Sequence, residues 1–69
     1  MDEEVELTHI SGNHYRKEHI VGIVTDEVDD FMYIDDGYDD YVYNRKSKML
    51  TKFSIAGTEL AYGKWDLHD

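Results

Sequence analysis

Apolar side chains return at every second position along most of this chain, in short runs divided by glycine, asparagine, aspartate and serine. A period of two cannot build the apolar stripe of an amphipathic helix, whereas it lays one side of a strand against a core. Val5, Leu7 and His9 alternate with Glu4, Glu6 and Thr8, which gives a first strand ending near Ser11, Gly12 and Asn13. Residues 19–25 are rich in β-branched side chains and form a second strand, in which Gly22 marks a bulge or a close packing point. Residues 31–34 form a third. Asp36-Gly37 is the strongest hairpin signal, because glycine accepts positive φ, and residues 38–44 make the returning strand. Residues 45–48 are a polar turn. In a fifth strand Met49, Thr51, Phe53 and Ile55 alternate with Leu50, Lys52, Ser54 and Ala56. Ala56, Gly57 and Thr58 turn again, and residues 59–67 supply a sixth.

Short, evenly spaced strands joined by tight loops predict an all-β fold: a small antiparallel meander of five to six strands, as a strongly bent sheet or a small barrel. Closure into a barrel removes exposed strand edges, and homodimerisation through an edge strand would do the same. A short helix over residues 13–18 has no apolar stripe behind it. With 69 residues there is room for one domain and a small core. Residues 1–6 are a candidate mobile tail of that domain.

The second constraint is charge. Eight carboxylates stand between positions 26 and 40: Asp26, Glu27, Asp29, Asp30, Asp35, Asp36, Asp39 and Asp40. No lysine or arginine occurs from Ile20 to Asn44. A run of charge alone stays solvated and disordered. Here Phe31, Met32, Tyr33, Ile34, Tyr38, Tyr41, Val42 and Tyr43 are threaded through it, so the charges are carried on folded strands. Residues 18–44 hold −9, equal to the net charge of the whole chain, while residues 45–69 hold +2 and include Arg45, Lys46, Lys48 and Lys52. Such a molecule repels nucleic acid and anionic membranes and attracts basic proteins.

If the turn at Asp36-Gly37 has two residues, Asp35 faces Tyr38, Tyr33 faces Asp40 and Met32 faces Tyr41. One face then presents Asp35, Asp40, Tyr33 and Tyr38, and the other gives Met32, Ile34, Tyr41 and Tyr43 to the core; a longer loop shifts this register. Residues two apart on a strand lie about 6.7 Å apart, and DNA offers a phosphate every ~3.4 Å of axis per strand. Alternating carboxylates on paired strands therefore approach a phosphate-like spacing, and tyrosines between them can stack on arginine.

Other chemistries lack their patterns. With Gly37 placed at the sixth position of a calcium loop, Met32, Ile34 and Tyr43 fall where ligands are required. His9, His14, His19 and His68 have no zinc-site spacing and there is no cysteine. Ser11, Ser47 and Ser54 form no nucleophile elbow, and the glycines make no phosphate loop. The expectation is a non-enzyme without metal or cofactor. Trp65, Phe53 and Tyr62 read as core aromatics. Absence of cysteine, an acidic start and the lack of a long apolar run point to a cytoplasmic protein.

In length, all-β pattern and the stretch DEVDDFMYIDDGYDDYVY, the chain resembles the small acidic DNA-mimic proteins of bacteriophages, and among them the inhibitors of the bacterial histone-like protein HU. The resemblance implies an acidic surface that docks in the DNA-binding cleft of HU in the host cytoplasm. The expected partner-binding residues are Asp26, Glu27, Asp29, Asp30, Asp35, Asp36, Asp39, Asp40, Tyr33 and Tyr38. Four of them, Asp35, Asp36, Asp39 and Asp40, are expected to tolerate neutralisation without loss of fold. The alternative is a small β module that binds a basic partner within a larger assembly without imitating DNA.

Overall fold

The structure is a computed structural model that describes residues 3–12, 17–54 and 56–68. Six strands follow one another: β1 (Glu3–Ser11), β2 (His19–Val28), β3 (Phe31–Asp35), β4 (Asp40–Asn44), β5 (Met49–Phe53) and β6 (Glu59–His68). Each pairs antiparallel with the next, and β6 pairs with β1, so the meander closes into a barrel. The expected all-β architecture holds in its barrel form. Closure leaves no edge strand for edge-to-edge dimerisation. Among the described residues there is no helix, Lys17 and Glu18 included, and so none long and apolar enough to cross a membrane. Residues 13–16 lie outside the described set.

Alternation puts Val5, Leu7, Ile20, Met32, Ile34, Tyr41, Tyr43, Leu50, Tyr62 and Trp65 inside, all buried, and among the described residues no polar or charged residue is buried with them. In a barrel this narrow the side chains themselves fill the interior. Trp65 is wholly buried; its indole N–H donates to the carbonyl of Tyr62 at 2.8 Å, and the Tyr43 hydroxyl donates to the carbonyl of Trp65 at 2.8 Å. These bonds satisfy the polar tips that large aromatics bring into a core. Gly22 is a close packing point rather than a bulge. A Cβ there would stand 2.6 Å from Ile34 Cγ2 and 2.9 Å from the carbonyl oxygen of Asp35.

Two irregularities decide which residues face outward. Between Val24 and Asp26 the β2 ladder takes in one extra residue opposite Ile34 and Tyr33. Strict alternation from Ile20 and Gly22 would turn Asp26 and Val28 inward. The bulge reverses the phase, so Asp26 pairs with Tyr33 and Val28 with Phe31 on the outside. In β6, Gly63 adopts φ +85° where the register with β5 shifts, and this brings both Tyr62 and Trp65 to the interior.

The expected hairpin register is corrected. The loop after β3 has four residues, 36–39, and Asp35 pairs with Asp40, Ile34 with Tyr41 and Met32 with Tyr43. The shift is by two positions, so Met32, Ile34, Tyr41 and Tyr43 still face the core. Phe53 is also corrected: it is half-buried on the outer face, paired with Asp40, while Leu50 supplies the buried side of β5. Glu3, Glu4 and Glu6 are held in β1 rather than in a free tail; Met1 and Asp2 lie outside the described residues.

Candidate functional site

The register carries the acidic residues across the barrel in rows. Glu4 pairs with Ile23, Ile23 with Asp35, Asp35 with Asp40, Asp40 with Phe53 and Phe53 with Glu59. These six residues form one row on the outer face that touches every strand. All four of its carboxylates are exposed. Neighbouring strands lie about 4.8 Å apart, so Asp35 and Asp40 are immediate neighbours and Glu4 and Glu59 stand about 10 Å further along the sheet on either side. A second row holds Asp26, Tyr33, Val42, Thr51 and Ala61. Glu4 and Glu59 escape a reading based on local charge density, since neither sits in the acidic run; only barrel closure aligns them with it.

Asp35 and Asp40 are the most telling pair. The Asp36 N–H donates to the carbonyl of Asp39 at 3.2 Å, which makes 36 and 39 the hydrogen-bonded pair. Asp35 and Asp40 then form the non-hydrogen-bonded pair, whose Cα atoms come within about 4.5 Å and whose side chains lie closest. Like charges in this position destabilise a sheet. Among the described residues neither aspartate makes an ion pair. Asp35 Oδ1 accepts only the N–H of Gly37, at 2.8 Å.

The other expected site residues divide sharply. Asp26 is exposed on the outer face beside Tyr33, and its Oδ1 accepts the N–H of Glu27 at 2.9 Å. Asp29 and Asp30 form the two-residue turn from β2 to β3, with Asp29 at φ +55°, a conformation aspartate tolerates. Tyr38 is 90% exposed at the tip of the 36–39 loop, away from Tyr33 on the sheet. Glu27 turns toward the end of the barrel and pairs with Arg45 at 2.6 Å.

Asp36 and Asp39 are neutralised within the chain. The Asp36 side chain is only 9% exposed. Its Oδ1 accepts the N–H groups of Tyr38 and Asp39 at 2.9 and 2.7 Å; its Oδ2 accepts the Tyr41 hydroxyl at 3.0 Å and Lys17 Nζ at 3.4 Å. Burial pushes its carboxyl pKa upward, but the hydrogen bonds from Asp39, Tyr38 and Tyr41 together with the Lys17 charge outweigh it and hold the value below the ordinary one. Burial raises Tyr41 to about 12. The hydrogen bond with Tyr41, aided by the charge of Asp36, raises Lys17 despite its partial burial. Asp39 lies between Lys17 at 3.7 Å and Lys52 at 3.6 Å. The sequence offers no cation within the acidic run; the fold supplies Lys17, Lys52 and Arg45 from outside it. Asp36 is therefore a loop anchor that closes one end of the barrel, so its neutralisation is expected to cost stability.

Comparison with protein-family models, with curated proteins and with solved structures finds no match. The geometry of the outer face stands alone as the guide to function. Beyond its charge, that face carries apolar surface: Val28, Phe31 and Tyr33 are 48, 44 and 39% exposed. Among the described residues no cluster of three or more His, Asp or Glu side chains is arranged to hold a metal ion. His19 bonds to Glu6, and His68 to Thr8 at 2.8 Å, on the far side of the barrel. His14 lies outside the described residues.

Proposed function

We propose that this chain is an acidic DNA-mimic inhibitor that occupies the DNA-binding surface of a basic host protein, HU-like by the resemblance described above, and works in the bacterial cytoplasm. The observation that carries the reading is the exposed Asp35–Asp40 pair at the centre of a four-carboxylate row, neither member of which makes an ion pair among the described residues. The barrel bears the repulsion of that pair in its free state, and cationic groups from a partner relieve it on docking. Asp26 in the adjacent row and the Asp29-Asp30 turn extend the same negative surface. Asp35 and Asp40 stand about 5 Å apart across the strands and Asp26 lies diagonal to Asp35 in the next row, a patch of charge for lysines and arginines that otherwise contact phosphates.

The test is competition. Purified HU is bound to a labelled duplex and the chain is titrated in. Displacement of the duplex, no binding of the chain itself to DNA, and direct affinity for HU that falls steeply with added salt are the expected results. Screening within about 8 Å at physiological salt is what makes the affinity salt-dependent. A ternary complex of chain, HU and DNA would reject mimicry. It would support the second reading, a β interaction module for a basic partner, which the exposed Val28 and Phe31 favour because imitation of a phosphate backbone has no use for aliphatic and phenyl surface.

A further inference from the structure

The outer face holds a groove of ≈ 350 Å³ lined by Thr25, Tyr33, Ile34, Asp40, Tyr41 and Phe53. Tyr33 rises from β3 and Phe53 from β5, on either side of β4. Asp40 lies between them on β4, in register with Phe53 on one side and Asp35 on the other. Phe53 has no place in the core and is half-buried here. Aromatic walls with the Asp40 carboxylate between them, and its cross-strand partner Asp35 next to the groove, match a cation that is planar and carries several donors.

The barrel already uses the same combination twice with its own cations. Lys17 Nζ lies 5.7 Å from the centre of the Tyr41 ring and pairs with Asp36 and Asp39. Lys52 Nζ lies 5.7 Å from the centre of the Tyr62 ring and pairs with Asp39. Tyr33, Phe53, Asp40 and Asp35 repeat the pattern on the outer face, and among the described residues no cation of the chain pairs with either carboxylate.

We infer that this groove receives an arginine side chain of the basic partner, in preference to lysine. The inference rests on the proposed function and adds the chemical identity of the contact. A guanidinium is flat, weakly hydrated and able to stack on an aromatic face while its edge bonds a carboxylate in bidentate fashion. A lysine ammonium arriving from solution must shed a tightly held hydration shell and offers no flat surface to the rings. Lys17 and Lys52 avoid that loss on docking because the fold holds them in place. The occupant follows from charge complementarity together with the aromatic walls; an apolar segment would leave Asp35 and Asp40 facing each other without relief.

Two probes of equal charge separate arginine from lysine: octa-arginine and octa-lysine peptides, titrated into the intact chain and followed by calorimetry and by amide chemical shifts. Octa-arginine is expected to bind about tenfold more tightly, from stacking on the rings, with shifts at Tyr33, Asp40 and Phe53. The Tyr33→Thr and Phe53→Thr variants keep a strand-favouring residue on the outside and are checked for fold by spectral dispersion. Each is expected to reduce octa-arginine affinity toward that of octa-lysine and to leave octa-lysine unchanged. Equal affinities for the two peptides, or an equal loss of both in the variants, overturns the inference. The HU–DNA competition is run alongside. Displacement of DNA without arginine preference defeats this inference alone, whereas arginine preference without displacement defeats the proposed function and leaves the groove's selectivity standing.

Discussion

Replacing Asp36 by alanine should be the most damaging single change in the acidic run, and for structural reasons. The carboxylate accepts two backbone N–H groups, a tyrosine hydroxyl and a lysine. Hydrogen bonds to a charged acceptor contribute about 1.5–3 kcal/mol each where they are buried. The loop N–H groups can turn to water when the carboxylate is lost, so the sum is discounted to about 2–3 kcal/mol. A chain of this length has about 3–10 kcal/mol in total, which keeps the variant measurable. Asparagine retains an oxygen for the Tyr38 and Asp39 N–H groups and sets an NH2 against Lys17, so Asp36→Asn should lose about 1 kcal/mol. Urea unfolding followed through Trp65, the one tryptophan, reads both. The sign of the pH effect is fixed. The folded carboxyl titrates below its ordinary value, so the unfolded chain holds more protons between the two values, and the contribution is complete above about pH 5 and lost as pH falls through the folded value. The gap between wild type and Asp36→Ala should therefore narrow from pH 5 toward pH 2. A neutral Asp36→Ala variant, or a gap that stays constant with pH, would refute the anchoring role.

Asp35→Asn and Asp40→Asn should each raise stability by about 0.2–1 kcal/mol, by relieving the opposed pair, and weaken binding to a basic partner; a loss of stability in urea would show that the pair is not repulsive in the free chain. Gly22→Ala should lose about 1–3 kcal/mol, because the added methyl meets Ile34 and the Asp35 carbonyl; an unchanged urea midpoint would mean that β2 and β3 separate freely. Deleting Thr25 removes the extra residue of the β2 bulge, so that Asp26 follows Val24 directly and keeps its outward place opposite Tyr33; spectral dispersion should persist, and its collapse would show that the bulge itself is needed for the barrel.

The six strands are legible in the sequence because period two and the turn residues are local signals. The paired residues are less so. Asp36-Gly37 reads as a two-residue turn, yet the Asp36 side chain caps the N–H groups of Tyr38 and Asp39 and favours a loop of four. The bulge in β2 depends on how β3 pairs across it, so nothing within residues 19–28 announces that Asp26 faces outward. Phe53 reads as core by its hydropathy, but the barrel has filled its interior with Tyr41, Tyr62 and Trp65. The counter-ions of Asp36 and Asp39 come from Lys17 and Lys52, which are far away in sequence. Local density picks out the acidic run correctly and fails to say which of its members are already neutralised.

The pairing of Glu6 with His68 has a consequence for the order in which the molecule is made. Of the six barrel strands β1 leaves the ribosome first, and its second neighbour is the last of the six to be synthesised. Until β6 emerges, β1 and β5 both present open ladders. Joining them closes a loop that takes in almost the whole chain, and contacts so distant in sequence form slowly. The row from Glu4 to Glu59 draws on the first strand and the last. A nascent chain therefore carries nearly all its carboxylates without their arrangement, and the full acidic row comes into being only when translation has passed β6 and the barrel shuts.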